Sequence, residues 1–388
     1  MFSLKTTGRN IRKALLEPGY ASKALFKRTG AAVSYRFDKN GKAPLPENIT
    51  FFLTYKCNLR CAMCGQWGEA GSSSSFDSGR LNQKLDISSY RRLLDEVKSF
   101  KPHITLFGGE PLLYNEFEEL VIEIKKRRLH LGIITNGTLL KKYARVIVDS
   151  GVDVVSLSVD GPAEIQDSVR GLRGAYLSIK EGADEISRLK KEKKTSKPLI
   201  NIVCTISALN YKSIKEMPAV AKELHAGTLN LHHLIFTENE TLEAHNKYFS
   251  GKFGTASKEW AGFINPSVKS IDPVNLSEDI SELKKGKYPF LLTVYPDFNS
   301  SEIVRYYSDK DFVSKEYPAR CISPWLSAYI YPDGEVHPCQ GLGFTAGNIE
   351  EDSFIDIWNG EKMRAFRREL KAKKHFGVCP RCTEMYRY

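Results

Sequence analysis

The chain has 388 residues, of which 41% are hydrophobic and 27% are charged. This is the composition of a globular protein, so a collagen, a disordered tail protein and a disulfide miniprotein are all excluded. No apolar run approaches the roughly 20 residues that a membrane-spanning helix needs. The first residues lack the continuous apolar region of a secretory signal, so we expect a cytoplasmic protein.

The net charge of +11 is concentrated at the two ends of the chain. Residues 1–47 hold ten Lys and Arg against three acidic residues, and residues 361–388 hold nine against three. Because the middle is nearly neutral, a basic nucleic-acid groove is disfavoured and no nucleic-acid partner is expected. Two short basic helices are predicted over residues 9–16 and 20–28. They either pack against the main domain or lie on an anionic membrane, with an apolar side that includes Phe2, Leu4, Ile11, Leu15 and Leu16.

From residue 49 onward, short apolar strands alternate with amphipathic helices. The predicted strands are residues 49–55, 103–107, 129–135, 153–159, 198–206 and 228–236. The predicted helices are residues 87–100, 115–128, 139–150, 175–194 and 211–224, the first of them capped by Asp86. Strands that alternate with helices form parallel sheets with right-handed crossovers. The sequence therefore predicts an α/β fold, a partial (β/α)6 TIM-like barrel with its chemistry at the carboxyl ends of the strands.

Two further regions follow this barrel, which spans residues 48–236. Residues 237–320 are rich in aromatic side chains and show no repeat. Since bare loops of this length are uncommon, we predict a mostly helical insert or lid. Residues 321–388 form a cysteine-bearing appendage, in which a hairpin turning at Pro-Asp-Gly precedes a helix over residues 355–373.

Seven of the eight cysteines lie in two groups, one early and one late. In a reducing cytosol, such groups indicate metal binding rather than disulfides. The first group is Cys57-x3-Cys61-x2-Cys64, directly after the first strand. Three thiolates this close together can hold three irons of a [4Fe–4S] cube and leave the fourth iron without a protein ligand. The alternatives are three unrelated thiols or a zinc knuckle, although zinc needs a fourth ligand and none lies nearby in the sequence.

The sequence around these cysteines resembles the radical S-adenosylmethionine (radical SAM) superfamily. CNLRCAMC follows the first strand, FGGEP (107–111) the second, TNGT (135–138) the third and SVDGPAEIQDSVRG (158–171) the fourth. In this family the open iron chelates the methionine part of S-adenosylmethionine (SAM). Reduction then yields a 5′-deoxyadenosyl radical, which abstracts hydrogen from the substrate. The resemblance implies a flavodoxin- or ferredoxin-type reductant.

The resemblance also implies roles for single residues. The cluster ligands are expected to be Cys57, Cys61 and Cys64. The residues expected to contact SAM are Met63, Gly108, Gly109, Glu110, Asn136, Ser158, Asp160 and Arg170. Met63 is a departure, since the family often has an aromatic residue there, but the contact is made by the backbone. Arg170 is alternatively a surface ion-pair partner, and Asn136 and Asp160 alternatively only shape turns or cap helices.

The late cysteines follow the pattern Cys321-x17-Cys339-x39-Cys379-x2-Cys382. Four thiolates suit either structural zinc or a fully ligated cluster. The segment YPDGEVHPC and the sequence that follows it resemble the auxiliary-cluster region of SPASM/twitch radical SAM enzymes. This resemblance implies a second [4Fe–4S] cluster. The sequence ends six residues after CPRC, so we expect the shorter twitch form with one auxiliary cluster.

Three residues are weaker catalytic candidates. Cys204 lies within the fifth strand and either packs in the core or donates a hydrogen atom. His232 and His233 end the sixth strand, and one of them could act as a general base. Since neighbouring strand residues face opposite ways, at most one of these histidines faces a substrate.

The sequence thus predicts a radical SAM enzyme that abstracts hydrogen from a small-molecule, sugar or lipid-linked substrate. A closed auxiliary cluster can accept the electron left behind, so net oxidation is the leading expectation. One alternative is a maturase that crosslinks or epimerises a peptide, although 47 residues before the barrel are too few for a winged-helix leader-binding domain. The other alternative is a non-catalytic iron–sulfur carrier or zinc-binding protein, which would have no use for a SAM pocket.

Overall fold

The computed structural model describes residues 18–68 and 71–388. The strands of this part form one ten-stranded sheet. They are β1 (Asn48–Phe52), β2 (His103–Phe107), β3 (His130–Thr135), β4 (Val154–Ser158), β5 (Leu199–Ile206), β6 (Thr228–His233), β7 (Leu291–Tyr295), β8 (Ser327–Ile330), β9 (Glu335–His337) and β10 (Gly347–Asn348).

The α-helices of the described residues surround this sheet. In chain order they are α1 (Pro18–Phe37), α2 (Ser78–Asn82), α3 (Ile87–Val97), α4 (Phe117–Lys126), α5 (Leu140–Asp149), α6 (Ala163–Arg170), α7 (Ala175–Glu192), α8 (Met217–Glu223), α9 (Asn239–Phe253), α10 (Pro273–Lys285), α11 (Ser300–Ser308), α12 (Phe354–Trp358) and α13 (Glu361–Lys373).

The sheet confirms the predicted α/β class and its parallel, partial-barrel order. Strands β1 to β7 lie side by side in chain order and all pair in parallel. Strand β8 adds a further parallel neighbour on the outer side of β1, and β9 and β10 follow it antiparallel. The barrel therefore has one more strand in sequence than the six predicted. That strand, β7, lies inside residues 237–320, so the mostly helical insert also continues the barrel.

Each barrel strand has a helix face and a lumen face, as the period of two requires. In β1, Ile49 and Phe51 are fully buried towards the helices, and the ring of Phe51 lies 5.0 Å from that of Tyr90 on α3. Asn48 and Thr50 alternate with them and face the lumen, where they form a hydrogen bond. The apolar face drives the helix layer onto the sheet, since each buried side chain of this size contributes about 1.5–3 kcal/mol.

The lumen face of β4 to β7 carries a row of neutral polar side chains. Asn201 donates to Ser156 at 2.9 Å and accepts from Thr228 and Asn230, while Thr293 donates to Asn230. A row of amides and hydroxyls across four strands gives the lumen a hydrogen-bonding wall instead of an apolar core.

Most predicted helices are present with bounds that differ by a few residues. Asp86 caps α3 as expected and accepts from the Ser89 amide at 3.0 Å. The predicted helix over 211–224 begins as a 3-10 turn before α8, and the one over 355–373 divides into α12 and α13 at Asn359 and Gly360. The hairpin turn is as predicted, with Gly334 at a φ of +86° between β8 and β9.

Helix α1 covers the amino ends of the barrel strands. The ring of Tyr20 stacks on His130 at 4.6 Å, and Arg28 donates two hydrogen bonds to Glu47 at 2.6 and 2.7 Å. Lys27 donates to the carbonyls of Pro46 and Phe100. The helix predicted over 20–28 therefore belongs to a longer helix that packs on the barrel, whereas the one over 9–16 lies outside the described residues. None of the helices described is long and apolar enough to cross a bilayer.

Candidate functional site

The first cysteine group lies in the loop directly after β1, at the carboxyl edge of the sheet. Each of its thiols accepts an N–H group. Cys57 receives the Leu59 amide at 3.4 Å, and Cys64 receives the Trp67 amide at 3.4 Å. Cys61 receives the Arg170 guanidinium at 3.7 Å. Burial raises the pKa of Cys57 to about 11 and also raises that of Cys61, whereas these N–H donors stabilise anionic sulfur and oppose the rise.

The two glycines of FGGEP let the end of β2 lie against the chain that leads into Cys57. The Gly109 amide donates to the Thr54 carbonyl at 2.7 Å, and the Glu110 amide donates to the Lys56 carbonyl at 2.8 Å. A Cβ atom on Gly109 would lie 2.2 Å from the Lys56 oxygen, which no side chain could tolerate. These glycines therefore let the loop after β2 pack closely against residues 54–56, and a glycine backbone also allows a ligand to lie close to it.

Glu110 is buried beneath the loop that follows β3. Its carboxylate accepts from the Thr135 hydroxyl at 2.6 Å, the Asn136 amide at 2.8 Å and the Leu112 amide at 3.1 Å. Burial raises the pKa of Glu110 to about 7, although these donors oppose the rise. The carboxylate thus organises the loops at this edge. Sequence reasoning missed Thr135, whose position before the Asn-Gly turn was the available signal.

Asn136 ties the third loop to the first. Its side-chain amide donates to Asn58 at 2.9 Å and approaches Cys57 Sγ at 3.9 Å, and Asn58 donates to Thr138 at 2.9 Å. Asn136 therefore contacts the cysteine loop as well as shaping its own turn. Asn58 was missed by sequence reasoning, although it lies inside the CNLRC motif.

Arg170 ends α6 and forms a buried ion pair with Asp160 at 2.6 Å. The pair is not on the surface, because 11% of the Arg170 side chain and none of the Asp160 side chain is exposed. Burial raises the pKa of Asp160, and the Arg170 charge opposes that rise. Among the buried polar atoms of the described residues that lack a hydrogen-bond partner are Arg170 Nε and Gln66 Oε1. Gln66 lies in the same loop as the cysteines, and Arg170 contacts Cys61 of that loop, so a ligand bound beside the loop could satisfy both atoms.

Two other predicted contacts lie near this edge. Ser158 is the last residue of β4, and its place in the strand alternation puts it on the lumen face with Ser156. Met63 lies in the cysteine loop and is half-buried against the core. The structure thus brings all the residues that the sequence linked to SAM to the carboxyl edges of β1 to β4.

The second cysteine group draws on both ends of the appendage. Cys321 precedes β8, Cys339 follows β9, and Cys379 and Cys382 flank a short turn near the carboxyl terminus. Burial raises the pKa of every one of these thiols, that of Cys379 to about 11. The negative charges of the other three thiolates raise the pKa of Cys339 further. Cys321 and Cys379 are buried and Cys339 and Cys382 are half-buried, and four neighbouring thiols form a closed donor set, which suits a fully ligated cluster.

Neither cysteine group is arranged around a single ion. In residues 18–68 and 71–388, no three His, Cys, Asp or Glu side chains approach closely enough to hold one metal ion. A four-iron cube spreads its thiolate ligands over its corners, so its ligands need not meet at one point.

The three weaker candidates divide between the two faces of the barrel. Cys204 is fully buried on the helix face of β5, where its thiol approaches the Asp160 carbonyl at 3.9 Å. His233 is also on the helix face, bonded to the Tyr307 hydroxyl at 3.0 Å, and burial lowers its pKa to about 3. His232 faces the lumen, in register with Thr205 and Tyr295. Of the two histidines, His232 is therefore the one that could meet a substrate.

Comparison with known proteins agrees with this geometry. The family described as the radical SAM superfamily matches residues 51–197, and the SPASM family, an iron–sulfur cluster-binding domain, matches residues 321–383. The chain is 28% identical over 347 residues to the AdoMet-dependent heme synthase of Methanosarcina barkeri, covering 86% of this chain and 88% of that protein. It is 24% identical over 355 residues to the PqqA peptide cyclase of a Methylobacterium species, covering 87% and 79%.

Solved structures share the fold. The Streptococcus suis protein SuiB bound to S-adenosylmethionine superposes with a TM-score of 0.59 at 15% identity, covering 85% of this chain and 69% of that one. The fold and the cysteine-lined edge define an iron–sulfur enzyme built on a partial parallel barrel. Residues 51–197 are a radical SAM domain, and residues 321–383 are a SPASM iron–sulfur cluster-binding domain. The cofactors of these families are SAM and iron–sulfur clusters, as the sequence predicted.

Proposed function

We propose that this enzyme abstracts a hydrogen atom from a substrate held in the barrel lumen and completes a net oxidation through its second cluster. The observation that carries the proposal is the joining of the two cysteine groups through one sheet. Strand β8 of the appendage pairs with β1 over four residues, from Asn48 with Ser327 to Phe51 with Ile330. The first cysteine loop follows β1 directly, so the two groups are held by neighbouring strands.

In this proposal the first three cysteines hold the SAM-binding cluster. Bound there and reduced, the cluster would supply the electron that converts SAM to the 5′-deoxyadenosyl radical. Leu59, Trp67 and Arg170 donate N–H groups to the three thiolates. Gly108, Gly109, Met63 and Ser158 line the SAM site with their backbone or side chains. Asp160 holds the Arg170 guanidinium in place, so that its fork can also pair with the SAM carboxylate.

Glu110 and Asn136 set the shape of this pocket. Glu110 accepts hydrogen bonds from two loops, and Asn136 joins the loop after β3 to the cysteine loop. A buried network of this kind fixes its members in one arrangement because each lost bond leaves a buried polar group unsatisfied. We therefore propose that both residues position the cluster loop, in addition to any contact with SAM.

The proposed ligands of the second cluster are Cys321, Cys339, Cys379 and Cys382. With four thiolates the cluster has no open iron, so it cannot bind SAM. A cluster held there would supply an acceptor for the electron that remains on the substrate after hydrogen abstraction. A flavodoxin- or ferredoxin-type protein is the proposed source of electrons for the first cluster.

The proposed substrate is a small molecule, a sugar or a lipid-linked molecule with hydrogen-bonding groups. The row of Ser156, Asn201, Asn230 and Thr293 supports this, since it offers amides and hydroxyls to the lumen. His232 is the proposed base, because it lies on the lumen face. A peptide is the second candidate, favoured by relatives that are named as peptide cyclases.

Deuterium transfer tests the reaction class. Anaerobically reconstituted enzyme, SAM and dithionite are incubated with deuterated candidate substrates, and 5′-deoxyadenosine is analysed by mass spectrometry. Transfer from a sugar or lipid-linked substrate supports the proposal, and transfer from a peptide supports the second candidate. If substrate is consumed with no deuterium in 5′-deoxyadenosine, hydrogen abstraction is excluded.

The late cysteines should be needed for product but not for SAM cleavage. Cys382→Ala removes one ligand of the proposed second cluster, so iron should fall by up to half while reductive SAM cleavage persists. Product should fall by at least about tenfold, because the substrate electron has no acceptor. The measurements are iron content, 5′-deoxyadenosine and product in the same reactions.

Cys204→Ala is the matched control, since it removes a thiol outside both groups. It should keep its full iron content and form product, because Cys204 is fully buried on the helix face of β5 and does not reach the lumen. Circular dichroism must first show that Cys382→Ala is folded, because metal binding supplies folding free energy to small domains. A folded Cys382→Ala protein that makes product at the wild-type rate would show that the second cluster has no role in the reaction.

A further inference from the structure

The outer face of α1 carries an unusual group of exposed apolar side chains. Phe26 is 82% exposed, Phe37 69%, Leu25 64% and Val33 52%. Phe26, Val33 and Phe37 follow each other at spacings of seven and four, so they share one face of the helix. Four of the eleven large apolar side chains that are exposed in the described residues lie on this helix. Exposed apolar groups of this kind mark interaction sites.

The same helix is basic and contains no acidic residue. Two of its four cations face the protein, since Lys27 and Arg28 bind Pro46, Phe100 and Glu47. The other two, Lys23 and Arg36, are exposed beside the apolar face, and Arg36 lies 5.6 Å from the Phe37 ring. Lys39 and Lys42 extend the exposed basic edge beyond the end of the helix.

This combination fits a lipid surface better than a second copy of the chain. Two copies of α1 face to face would bring their basic edges together, and like charges across an interface are unfavourable. Anionic lipid headgroups neutralise those edges, while aromatic and aliphatic side chains enter the region between headgroups and acyl chains. Residues 1–17 add four Lys and Arg and one Glu to the same end of the chain.

We infer that the outer face of α1, defined by Leu25, Phe26, Val33 and Phe37 with Lys23 and Arg36, docks on an anionic lipid bilayer. Its inner side packs on the amino ends of the barrel strands, through Tyr20 and Arg28. The cysteine loop lies at the opposite, carboxyl ends. Docking therefore directs the mouth of the barrel away from the lipid. This inference concerns location and is independent of the proposed reaction.

Sedimentation with vesicles tests the inference on the full-length reconstituted enzyme. The protein should sediment with vesicles that contain phosphatidylglycerol, remain in solution with pure phosphatidylcholine, and be released as salt rises. Phe26→Ser combined with Phe37→Ser should lower the bound fraction by at least about tenfold. Lys23→Glu combined with Arg36→Glu should also lower the bound fraction, by about fivefold or more for each cation that is removed.

Leu177→Ser is the matched control, since Leu177 is 59% exposed on α7, away from the docking face. It should bind vesicles as the wild type does, and all variants should retain SAM cleavage. The inference is overturned if wild-type protein ignores anionic vesicles at low salt. Light scattering then identifies the occupant: a dimer that Phe26→Ser and Phe37→Ser dissociate points to a second copy. If deletion of residues 1–17 creates vesicle binding that the full chain lacks, that segment covers the face.

Discussion

At the first cysteine loop, the sulfur atoms and their donors come from three different segments of the chain. The loop supplies two backbone amides, and Arg170 reaches Cys61 from the end of α6. Asp160 anchors that guanidinium, and Asn136 reaches the loop from the end of β3. Motifs that are far apart in sequence are thus joined by hydrogen bonds around three thiols. Burial raises the pKa of Cys57 to about 11 and also raises that of Cys61, and the Leu59 and Arg170 donors oppose the rise.

Glu110→Gln should change how stability depends on pH. Burial raises the pKa of Glu110 from its usual 4.5 to about 7. The folded chain therefore keeps a proton that the unfolded chain releases above about pH 4.5, and this contribution to stability is lost as pH rises through 7. The amide that replaces the carboxyl group cannot titrate. The free energy of unfolding of wild type minus that of the variant should fall by about 3 kcal/mol between about pH 4.5 and 8.

Urea unfolding of the apoprotein under anaerobic conditions measures this difference. Thr135→Val is the control, since it removes one donor to the carboxylate but leaves Glu110 able to titrate. It should be less stable than wild type and still lose stability as pH rises through this range. If the difference in stability between wild type and Glu110→Gln does not change with pH, the pKa of Glu110 is the same in the folded and the unfolded chain.

Close packing between α5 and α7 sets part of the helix layer. A Cβ atom on Gly182 would lie 2.6 Å from the Cβ of Leu140, so glycine lets the two helices approach. Gly182→Ala should therefore destabilise the protein by about 1–3 kcal/mol, because an added methyl group overpacks this contact. Thermal or urea unfolding measures the loss.

Gly251 provides the control within another helix. It lies near the end of α9, where an added Cβ would meet open space. Gly251→Ala should stabilise the protein by about 0.5–1 kcal/mol, because alanine loses less backbone entropy in a helix. If Gly182→Ala were stabilising as well, the contact with Leu140 would not limit the approach of α5 and α7.

The elements that sequence could predict are those with a strong apolar period. Strands β1 to β6 are short Val-, Ile- and Leu-rich runs between amphipathic helices, so their order and parallel pairing followed from the pattern. Strand β7 was missed because Leu291–Tyr295 is short and lies among aromatic residues that obscure the alternation. The break between α12 and α13 occurs because Gly360 caps the start of α13. The apolar period continues across this break, so the sequence pattern did not indicate it.

In the whole molecule, the appendage and the amino-terminal helix are both built into the barrel. Strand β8 extends the sheet beside β1, and Tyr388 bonds Ser327 at 2.9 Å. Lys371 on α13 donates to carbonyls at the end of α1. Such contacts join residues that are far apart in sequence, so no local pattern could predict them. The sequence motifs named the candidate residues of the site, but their hydrogen-bond partners, such as Asn58 and Thr135, required the fold.

Iron content and reductive SAM cleavage together test the central claim most directly. Anaerobically reconstituted wild-type protein should hold about eight irons, since two cubes have four each. With dithionite it should convert SAM to 5′-deoxyadenosine. Changing Cys57, Cys61 and Cys64 to Ala together should halve the iron and abolish cleavage, while the late cysteines keep their cluster. A triple variant that still makes 5′-deoxyadenosine at the wild-type rate would contradict the assignment of SAM chemistry to the loop after β1.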